Sequence, residues 1–380
     1  MAACRWILLL AVVAAALVRT PAGAVEGSGS LAASAATLIQ NFAAAGADGK
    51  SSPLPALSVA IGRDGTLLYA DGFGDVDDQH RSASAQTIYM VGSITKQFTA
   101  TAVLRLIEKH AVVQRDGSPL TTATPLASLL DVADGWTLEG GPPITVGNLL
   151  SMTSNLPNFT RRPPHELDPW GAVPARRLLD GIKGYRPSGF PGSFEYSNTS
   201  YFLLSELMEA VEVDGVSRDY RRILQEEVFS RLGLADTGFG NDPSFAHRLA
   251  SPHYRRRPRF SQPDWLKGSG DVASSVLDIF KWNKALMEGR ALTPAMRDVM
   301  LSDSARVDVW TYYGAGWFIT HKDGVDRYFH SGTVSGYTAF NLIVRPRTEH
   351  WVSVTLLTNS DGVEDLDVLA DKLASLVLAP

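Results

Sequence analysis

The chain has 380 residues, with 35 Lys and Arg against 40 Asp and Glu, 45% hydrophobic residues and a single cysteine. This composition supplies enough apolar material for a large core and shows no strong bias, which excludes a mainly disordered or fibrous protein. The net charge of −5 argues against nucleic acids and anionic membranes as general partners, because both attract basic proteins.

The first 24 residues have the pattern of a secretory signal peptide. Arg5 supplies a positive start, residues 6–18 form an apolar run, and Ala22-Gly23-Ala24 is a small-residue cleavage site. An uncleaved membrane anchor is disfavoured, because the apolar run is shorter than the roughly 20 residues that span a bilayer. We therefore expect cleavage after Ala24, a secreted or periplasmic location, and no stable membrane anchor in the mature protein.

The N-terminal part of the mature chain predicts a helix followed by a β-hairpin. Apolar residues recur at helical spacing over residues 31–42, after the favoured N-cap Ser30, and the pattern ends at Gly46. Two β-prone runs follow at 57–61 and 66–70. The Arg63-Asp64-Gly65 string between them is typical of a hairpin turn, so the two strands are expected to pair antiparallel.

Helical patterns dominate the middle of the chain, and strand patterns return after it. Gly92 interrupts the preceding secondary structure, and the apolar spacing that follows it predicts a helix beginning at Ser93. Further helices are predicted at 146–152, 201–213 and 219–231, strands at 316–320, 327–330, 337–344 and 351–358, and a closing helix at 363–378.

Strands near both termini indicate an α/β (α+β) fold with one antiparallel sheet. Because a sheet edge must be paired or covered, the strands of the two chain ends are expected to form this sheet together, flanked by helices. We predict a sheet domain from residues 25–105 and 265–380, and an inserted, mainly helical domain from residues 106–264.

Several common chemistries find no support in the sequence. The chain has no G-x-S-x-G, H-E-x-x-H, P-loop or G-x-G-x-x-G motif, and its eight histidines lack metal-ligand spacing. Loss of Cys4 with the signal peptide would also exclude disulfides and cysteine-bound metals. We therefore expect neither a metal nor an organic cofactor.

One short string could carry chemistry. Ser93-Ile94-Thr95-Lys96 stands where a helix is predicted to begin, and residues i and i+3 share a helix face. Lys96 would then lie beside the Ser93 hydroxyl, near the positive helix N-terminus. A desolvated lysine loses its proton more easily and can act as a base toward serine. Such a string is usually an ordinary capped helix start with an exposed lysine, so it decides nothing alone.

Two further strings occur once each, and together with the first they resemble a known family. Tyr196-Ser197-Asn198 lies in the helical region, and His330-Ser331-Gly332 ends a predicted strand. The order S-x-x-K, Y-x-N, K/H-S/T-G resembles the penicillin-recognising serine hydrolases. That family includes class C β-lactamases, D-alanyl-D-alanine carboxypeptidases and β-lactamase-like esterases, and the resemblance implies a β-lactamase/transpeptidase-like fold.

The resemblance extends over most of the mature chain, from about residue 57 to residue 359. Met152 and Asn155 depart from it, because the family usually has His and Gly at these positions. The further stretches that look like family motifs are Leu149-Leu150-Ser151 through Pro157, Pro191-Gly192 before the Tyr196 string, Tyr201-Phe202-Leu203-Leu204, Gly268-Ser269-Gly270 before a helix, and Leu356-Leu357-Thr358-Asn359.

The resemblance implies a role for each matched residue. Ser93 would be the nucleophile that accepts the acyl group, and Lys96 would be its proton partner. The Tyr196 phenol would pass the proton to the leaving group and activate the deacylating water. Asn198 would orient a substrate amide.

The third motif would hold the substrate. The resemblance implies that the strand carrying His330, Ser331 and Gly332 lies along the substrate. The backbone N–H groups of Ser93 and Thr333 would form the oxyanion hole.

Lactamases of this family usually carry lysine at the position of His330. Some carboxypeptidases, D-amino peptidases and esterases that the chain resembles have histidine there instead. Histidine is only partly charged near neutral pH. We hypothesise that His330 binds a substrate carboxylate more strongly as pH falls, so that the KM of a carboxylate substrate would rise with pH.

The sequence thus predicts an exported serine acyl hydrolase that forms an acyl-enzyme on Ser93. Peptides ending in D-alanine are the preferred substrate class, followed by carboxylic esters and then β-lactams. These activities share residues and differ in pocket shape. A non-catalytic module that binds or senses penicillin is the alternative outside enzymes. The retention of Ser93, Lys96, Tyr196 and Asn198 argues against it.

Overall fold

The computed structural model describes residues 29–45, 54–138, 141–164, 167, 173–254, 266–347 and 350–378. The predicted signal peptide of residues 1–24 lies outside these ranges. None of the helices within them combines the length and the apolar character needed to cross a membrane.

The elements are numbered in chain order. The α-helices are α1 (Gly29–Ala45), α2 (Thr95–Glu108), α3 (Val146–Leu150), α4 (Ala175–Ile182), α5 (Asn198–Glu209), α6 (Tyr220–Leu224), α7 (Pro243–Ala246), α8 (Val276–Met287), α9 (Pro294–Met300) and α10 (Leu366–Leu378). The strands are β1 (Ala56–Arg63), β2 (Thr66–Gly74), β3 (Tyr89–Met90), β4 (Val112–Val113), β5 (Val211–Val213), β6 (Val216–Ser217), β7 (Gly238–Phe239), β8 (Val272–Ser274), β9 (Ala305–Arg306), β10 (Thr311–Tyr313), β11 (Phe318–Lys322), β12 (Val325–Val334), β13 (Tyr337–Pro346) and β14 (Val352–Thr358).

Eight strands form one antiparallel sheet that joins the two ends of the chain. Its order is β2-β1-β14-β13-β12-β11-β10-β9, so that β14 lies between β1 and β13. Leu57 of β1 pairs with Thr358 of β14, and Val59 pairs with Leu356. The prediction of one antiparallel sheet built from both chain ends is confirmed.

Helices cover both faces of this sheet. In β1, Leu57, Val59 and Ile61 share one buried cluster with the apolar sides of α1 and α10. Ala56 and Ala60, which point to the opposite face, belong to the larger cluster around α2 and α8. Because successive residues of a strand face opposite sides, β1 can be buried along its whole length only when both faces are covered.

The middle of the chain is mainly helical, with two small sheets of order β3-β8-β7 and β4-β5-β6. The helix predicted at 201–213 is observed as α5, but its last three residues form strand β5. The extended V-E-V run pairs there with β4 of a distant segment, and this tertiary pairing overrides the helical pattern. The helices predicted at 31–42 and 363–378 and the hairpin at 57–70 correspond to α1, α10 and β1-β2.

Candidate active site

Ser93 lies at the junction between the N-terminus of α2 and strand β12. It was predicted to begin the helix, but it belongs to a short 3-10 turn, Gly92–Ile94, that leads directly into α2. Gly92 has φ +52°, and a Cβ there would lie 2.7 Å from the Thr333 backbone nitrogen. A side chain at Gly332 would collide with the Val91 carbonyl. The turn and the strand therefore meet backbone against backbone, which only glycine allows.

Lys96, the second residue of α2, is fully buried beside Ser93. Its Nζ lies 2.9 Å from Ser93 Oγ, 2.7 Å from Asn198 Oδ1 and 2.8 Å from the Ser269 carbonyl oxygen. An ammonium group could donate to all three, whereas a neutral amine donates to two of them and accepts from the Ser93 hydroxyl. Burial lowers the pKa of Lys96 well below its ordinary value, against a smaller opposing effect of the Asp271 charge. A neutral Lys96 amine can accept the Ser93 proton.

Tyr196 approaches Ser93 from the segment that precedes α5. Its hydroxyl donates to Ser93 Oγ at 2.8 Å, and Lys96 Nζ lies 4.9 Å from its ring centroid. Burial raises the pKa of Tyr196, while the Ser93 hydrogen bond and the Arg161 charge act in the opposite direction. The environment thus drives the pKa values of Lys96 and Tyr196 apart. This suits Lys96 as the base toward Ser93 and Tyr196 as a proton donor.

Asn198 is the first residue of α5, and the protein engages both ends of its side-chain amide. Oδ1 accepts from Lys96, and Nδ2 donates to Thr160 Oγ1 at 2.9 Å. Asn198 therefore holds the Lys96 side chain in position against Ser93. Its predicted contact with a substrate amide stays a prediction.

His330 is buried rather than open to a substrate, with an exposed fraction of 1%. Its Nδ1 lies 2.6 Å from the Ser331 carbonyl oxygen, and its Nε2 lies 3.4 Å from the Tyr313 hydroxyl. Burial and the Lys96 charge lower the pKa of His330 to about 3, although its bond to Ser331 opposes this. A buried ring of lowered pKa argues against an imidazolium that binds carboxylates at neutral pH, and this hypothesis stays a prediction.

The remaining residues of the third motif line the junction with Ser93. The Ser331 and Thr333 side chains are exposed, whereas Gly332 is buried against the Val91–Ser93 backbone. The backbone nitrogens of Ser93 and Thr333 lie on the two segments that meet there. This placement is consistent with the predicted oxyanion hole, which stays a prediction.

Met152 and Asn155, which depart from the family pattern, both adopt a left-handed backbone conformation. Both residues have positive φ, +59° and +52°, and asparagine tolerates this region better than most residues. Asn155 Nδ2 donates to Ser193 Oγ at 3.1 Å, and the Met152 carbonyl accepts from the Glu195 backbone N–H at 2.9 Å. The loop thereby fixes the segment that presents Tyr196.

Sequence reasoning missed two features of the site. Ser269 contributes a backbone carbonyl to Lys96, and a backbone group leaves no signal in residue type beyond the Gly268-Ser269-Gly270 turn. The half-buried rings of Phe194 and Phe318 form an aromatic wall. Phe318 stacks on Tyr196 at 6.3 Å between centroids and lies 5.2 Å from the His330 ring.

In the described ranges, no three His, Cys, Asp or Glu side chains are grouped so that they could hold a metal ion.

The fold and this site together define a serine hydrolase of the β-lactamase/transpeptidase fold. The chain belongs to the β-lactamase family, because the family model described as Beta-lactamase matches residues 35–379.

Several curated relatives are similar to this chain at low sequence identity. Penicillin-binding protein 4* of Bacillus subtilis (strain 168) is 24% identical over 355 residues, which cover 84% of this chain and 72% of that protein. Protein flp of Staphylococcus aureus (strain N315) is 25% identical over 329 residues, which cover 82% of this chain and 61% of that protein. The chain spans between 59% and 72% of the length of these and the neighbouring curated relatives.

Solved structures share the fold. The octameric penicillin-binding protein homologue from Pyrococcus abyssi matches with a TM-score of 0.72 and 23% identity, over 93% of this chain and 77% of that one. The D-amino acid amidase from Ochrobactrum anthropi SV3 in complex with D-phenylalanine gives 0.70 and 20%, over 91% and 99%. A hydrolase with promiscuous acyltransferase activity gives 0.73 and 19%, over 92% and 99%. At these identities the likeness shows the fold alone.

Proposed function

We propose that this chain is an exported serine hydrolase that cleaves peptides ending in D-alanine through an acyl-enzyme on Ser93. The hydrogen-bonded arrangement of Ser93, Lys96 and Tyr196, with Lys96 fully buried, carries the acyl-enzyme part of this proposal.

The acylation step follows from this arrangement. Ser93 Oγ attacks the scissile carbonyl carbon, and its proton passes to the neutral Lys96 amine. The backbone N–H groups of Ser93 and Thr333 stabilise the oxyanion of the tetrahedral intermediate. The C–N bond breaks as Tyr196 gives its proton to the leaving amine, and Lys96 returns the proton to Tyr196. A water molecule then hydrolyses the ester on Ser93 with the same groups acting in reverse.

A substrate carboxylate would need a cation other than His330. Arg161 is exposed, and its charge lowers the pKa of the Tyr196 phenol, so it is the candidate partner. We expect Arg161→Gln to raise the KM of a peptide with a free C-terminal D-alanine by about tenfold, since one charge-assisted hydrogen bond is lost. The same peptide with an amidated C-terminus should be unaffected, which is the matched control. Equal KM changes for both peptides would reject Arg161 as the carboxylate partner.

A carboxylesterase is the second candidate, and the aromatic wall favours it. Phe194 and Phe318 are half-buried beside Tyr196, and the neutral His330 places no charge among them. Such a surface suits an uncharged, apolar acyl group.

Leaving-group profiling separates the candidates. Purified mature protein is tested for D-alanine release, p-nitrophenyl ester cleavage and β-lactam ring opening, with Ser93→Ala as the control. Intact-mass spectrometry after benzylpenicillin and after a fluorophosphonate reports the adducts. A serine-dependent adduct with both reagents that clears slowly after penicillin would support the peptidase. A fluorophosphonate adduct alone would support the esterase, and no adduct with either would reject Ser93 as the nucleophile.

The export part of the proposal has its own support and test. The apolar run of residues 6–18 and the small residues before position 25 favour processing by a signal peptidase. N-terminal sequencing of the protein recovered from outside the cytoplasm should begin at Val25. Recovery of only the unprocessed chain would contradict export.

A further inference from the structure

Lys96 depends on a loop that contributes no side chain to its three hydrogen bonds. One acceptor is the Ser269 carbonyl oxygen, which lies in the turn Gly268-Ser269-Gly270-Asp271 before β8. The position of that carbonyl sets where the Lys96 amine sits relative to Ser93. Whatever fixes the turn therefore positions the base.

Asp271 closes this turn from inside the protein. Its exposed fraction is 2%, and its Oδ1 accepts from the Gly268 backbone N–H at 3.2 Å and from the Tyr220 hydroxyl at 3.0 Å. Gly268 has φ +72°, a conformation that other residues adopt only with strain. The carboxylate thus joins the two ends of the turn and ties them to α6.

Helix α2 forms hydrogen bonds to the same turn through residues on both sides of Lys96. Thr99 Oγ1 donates to the Gly268 carbonyl at 2.8 Å, and Thr95 Oγ1 accepts from the Val272 backbone N–H at 3.1 Å. Hydrogen bonds therefore tie the turn to the helix at two points. A change at Asp271 reaches Lys96 through these bonds.

Asp271 is also a buried carboxyl without an ion-pair partner among the described residues. Burial raises its pKa to about 6, and the Tyr220 hydrogen bond and the Arg221 charge oppose this rise. Asp271 lines a pocket of about 230 Å³ together with Arg221, Lys267 and Asn241. A buried charge is costly unless it is paired or serves a purpose. The Asp271 charge also acts on Lys96 of α2, whose pKa it raises.

We propose that Asp271 is a positioning residue of the active site. It fixes the Ser269 carbonyl that receives Lys96, and its buried carboxylate belongs to the turn that α2 holds on both sides of Lys96. This inference rests on the proposed function, in which Lys96 is the base toward Ser93.

The sign of the charge effect follows from the groups that surround Lys96. Asp271 is anionic and raises the pKa of Lys96, whereas burial lowers it by more. The remaining titratable neighbours are Tyr196, Tyr201 and His330, which are neutral near pH 7 because burial raises both phenol pKa values and lowers that of the imidazole. Removing the Asp271 charge should therefore lower the pKa of Lys96 further.

Asp271→Asn tests this, because asparagine keeps an oxygen for Gly268 and Tyr220 but loses the charge. The readout is the rate at which a fluorophosphonate labels Ser93 between pH 5 and 9, followed by intact mass. We expect the acidic limb of this profile to move to lower pH by roughly half a unit or more. The two profiles should converge below about pH 6, where wild-type Asp271 is itself protonated.

Asp278→Asn is the matched control. Asp278 is a second buried carboxylate, bonded to the Asp236 backbone, Thr237 and Lys281 at the start of α8, away from Lys96. This variant should lose stability without moving the limb. A limb that stays in place in Asp271→Asn, or that moves equally in both variants, would overturn the inference.

Two further measurements keep the outcomes distinct. If Asp271→Asn does not fold, Tyr220→Phe replaces it. Loss of the hydroxyl raises the pKa of Asp271, which should move the limb in the same direction, and an unmoved limb would overturn the inference. Labelling of Ser93→Ala at the wild-type rate would overturn the proposed function and this inference with it. Loss of labelling in Ser93→Ala with an unmoved limb in Asp271→Asn would overturn the inference alone.

Discussion

Helix α10 packs against the large sheet, whereas helix α2 is enclosed mainly by other helices, and the two helices bury different kinds of residue. From Thr95 to Leu104 every residue of α2 is buried, including five polar ones: Thr95, Lys96, Gln97, Thr99 and Thr101. In α10 only one apolar side is buried, with Leu366, Leu369, Ala370, Leu373, Ala374 and Val377. Helix α2 is thus enclosed by protein, whereas α10 is an amphipathic helix that covers the sheet.

The difference lies in what the buried residues do. Polar groups of α2 reach other elements: Lys96 bonds to α5 and the Ser269 turn, and Gln97 Oε1 accepts from Trp282 of α8 and Asn341 of β13. Each such bond fixes the position of the helix that carries the site. Helix α10 contributes apolar area and no bond to the site. Substitutions in α2 should therefore affect chemistry, and those in α10 only stability.

The largest effect is expected in α2. Lys96→Met should lower kcat/KM by about a thousandfold or more, because the base toward Ser93 is lost. The free energy of unfolding should change by less than about 2 kcal/mol, because a costly buried amine is removed while Asn198 and Ser269 lose their donor and Ser93 keeps that of Tyr196. Steady-state kinetics and urea unfolding check the two parts. Activity within tenfold of wild type would contradict the role of Lys96.

The contrasting substitution lies in α10. Leu373 is fully buried under the sheet, and Leu373→Ala should cost about 2–5 kcal/mol of unfolding free energy, from lost transfer energy and a cavity. At a temperature where the variant is folded, kcat/KM should equal that of wild type. A loss of kcat/KM in the folded variant would show that α10 is coupled to the site.

A smaller loss that affects both properties is expected at Asn341. Its amide bonds to Gln97 at 3.1 Å and exchanges hydrogen bonds with Asn283 at 2.8 and 2.9 Å, all in the core. Asn341→Leu should cost about 1–3 kcal/mol, because buried polar groups lose their partners. It should also lower kcat/KM severalfold by releasing α2 from the sheet. Unchanged kcat/KM alongside reduced stability would restrict the network to a structural role.

At pH 7 the smallest effect is expected at His330, whose contribution changes only as the pH falls. Its pKa falls from 6.5 in the unfolded chain to about 3 in the fold, so between these values the unfolded state binds more protons. Stability should therefore fall as pH drops through this window, with a slope of up to about 1.4 kcal/mol per pH unit from this group. His330→Gln should flatten the slope, as measured by urea unfolding from pH 4 to 7. Parallel curves for the two proteins would indicate a charged His330.

The sequence predicted those parts of the fold and site that depend on local pattern. Strand periodicity and turn residues identified β1, β2 and β12–β14, and three short strings named Ser93, Lys96 and Tyr196, which the structure brings within hydrogen-bond distance. Two features depend on distant segments and leave no local signal in the sequence. Strand β5 is set by its pairing with β4, which overrides the predicted helix, and burial of His330 among rings from β10 and β11 lowers the pKa of its imidazole.

The position of β14 between β1 and β13 affects how the chain can fold. Leu57 pairs with Thr358 across about 300 residues, so the entropy of closing this loop must be overcome before the pairing contributes. During synthesis the hairpin β1-β2 emerges early and lacks its inner neighbour until residue 358 has been added. The sheet therefore forms late and cooperatively. A chain cut before β14 would expose a long apolar strand edge, with aggregation as the expected fate.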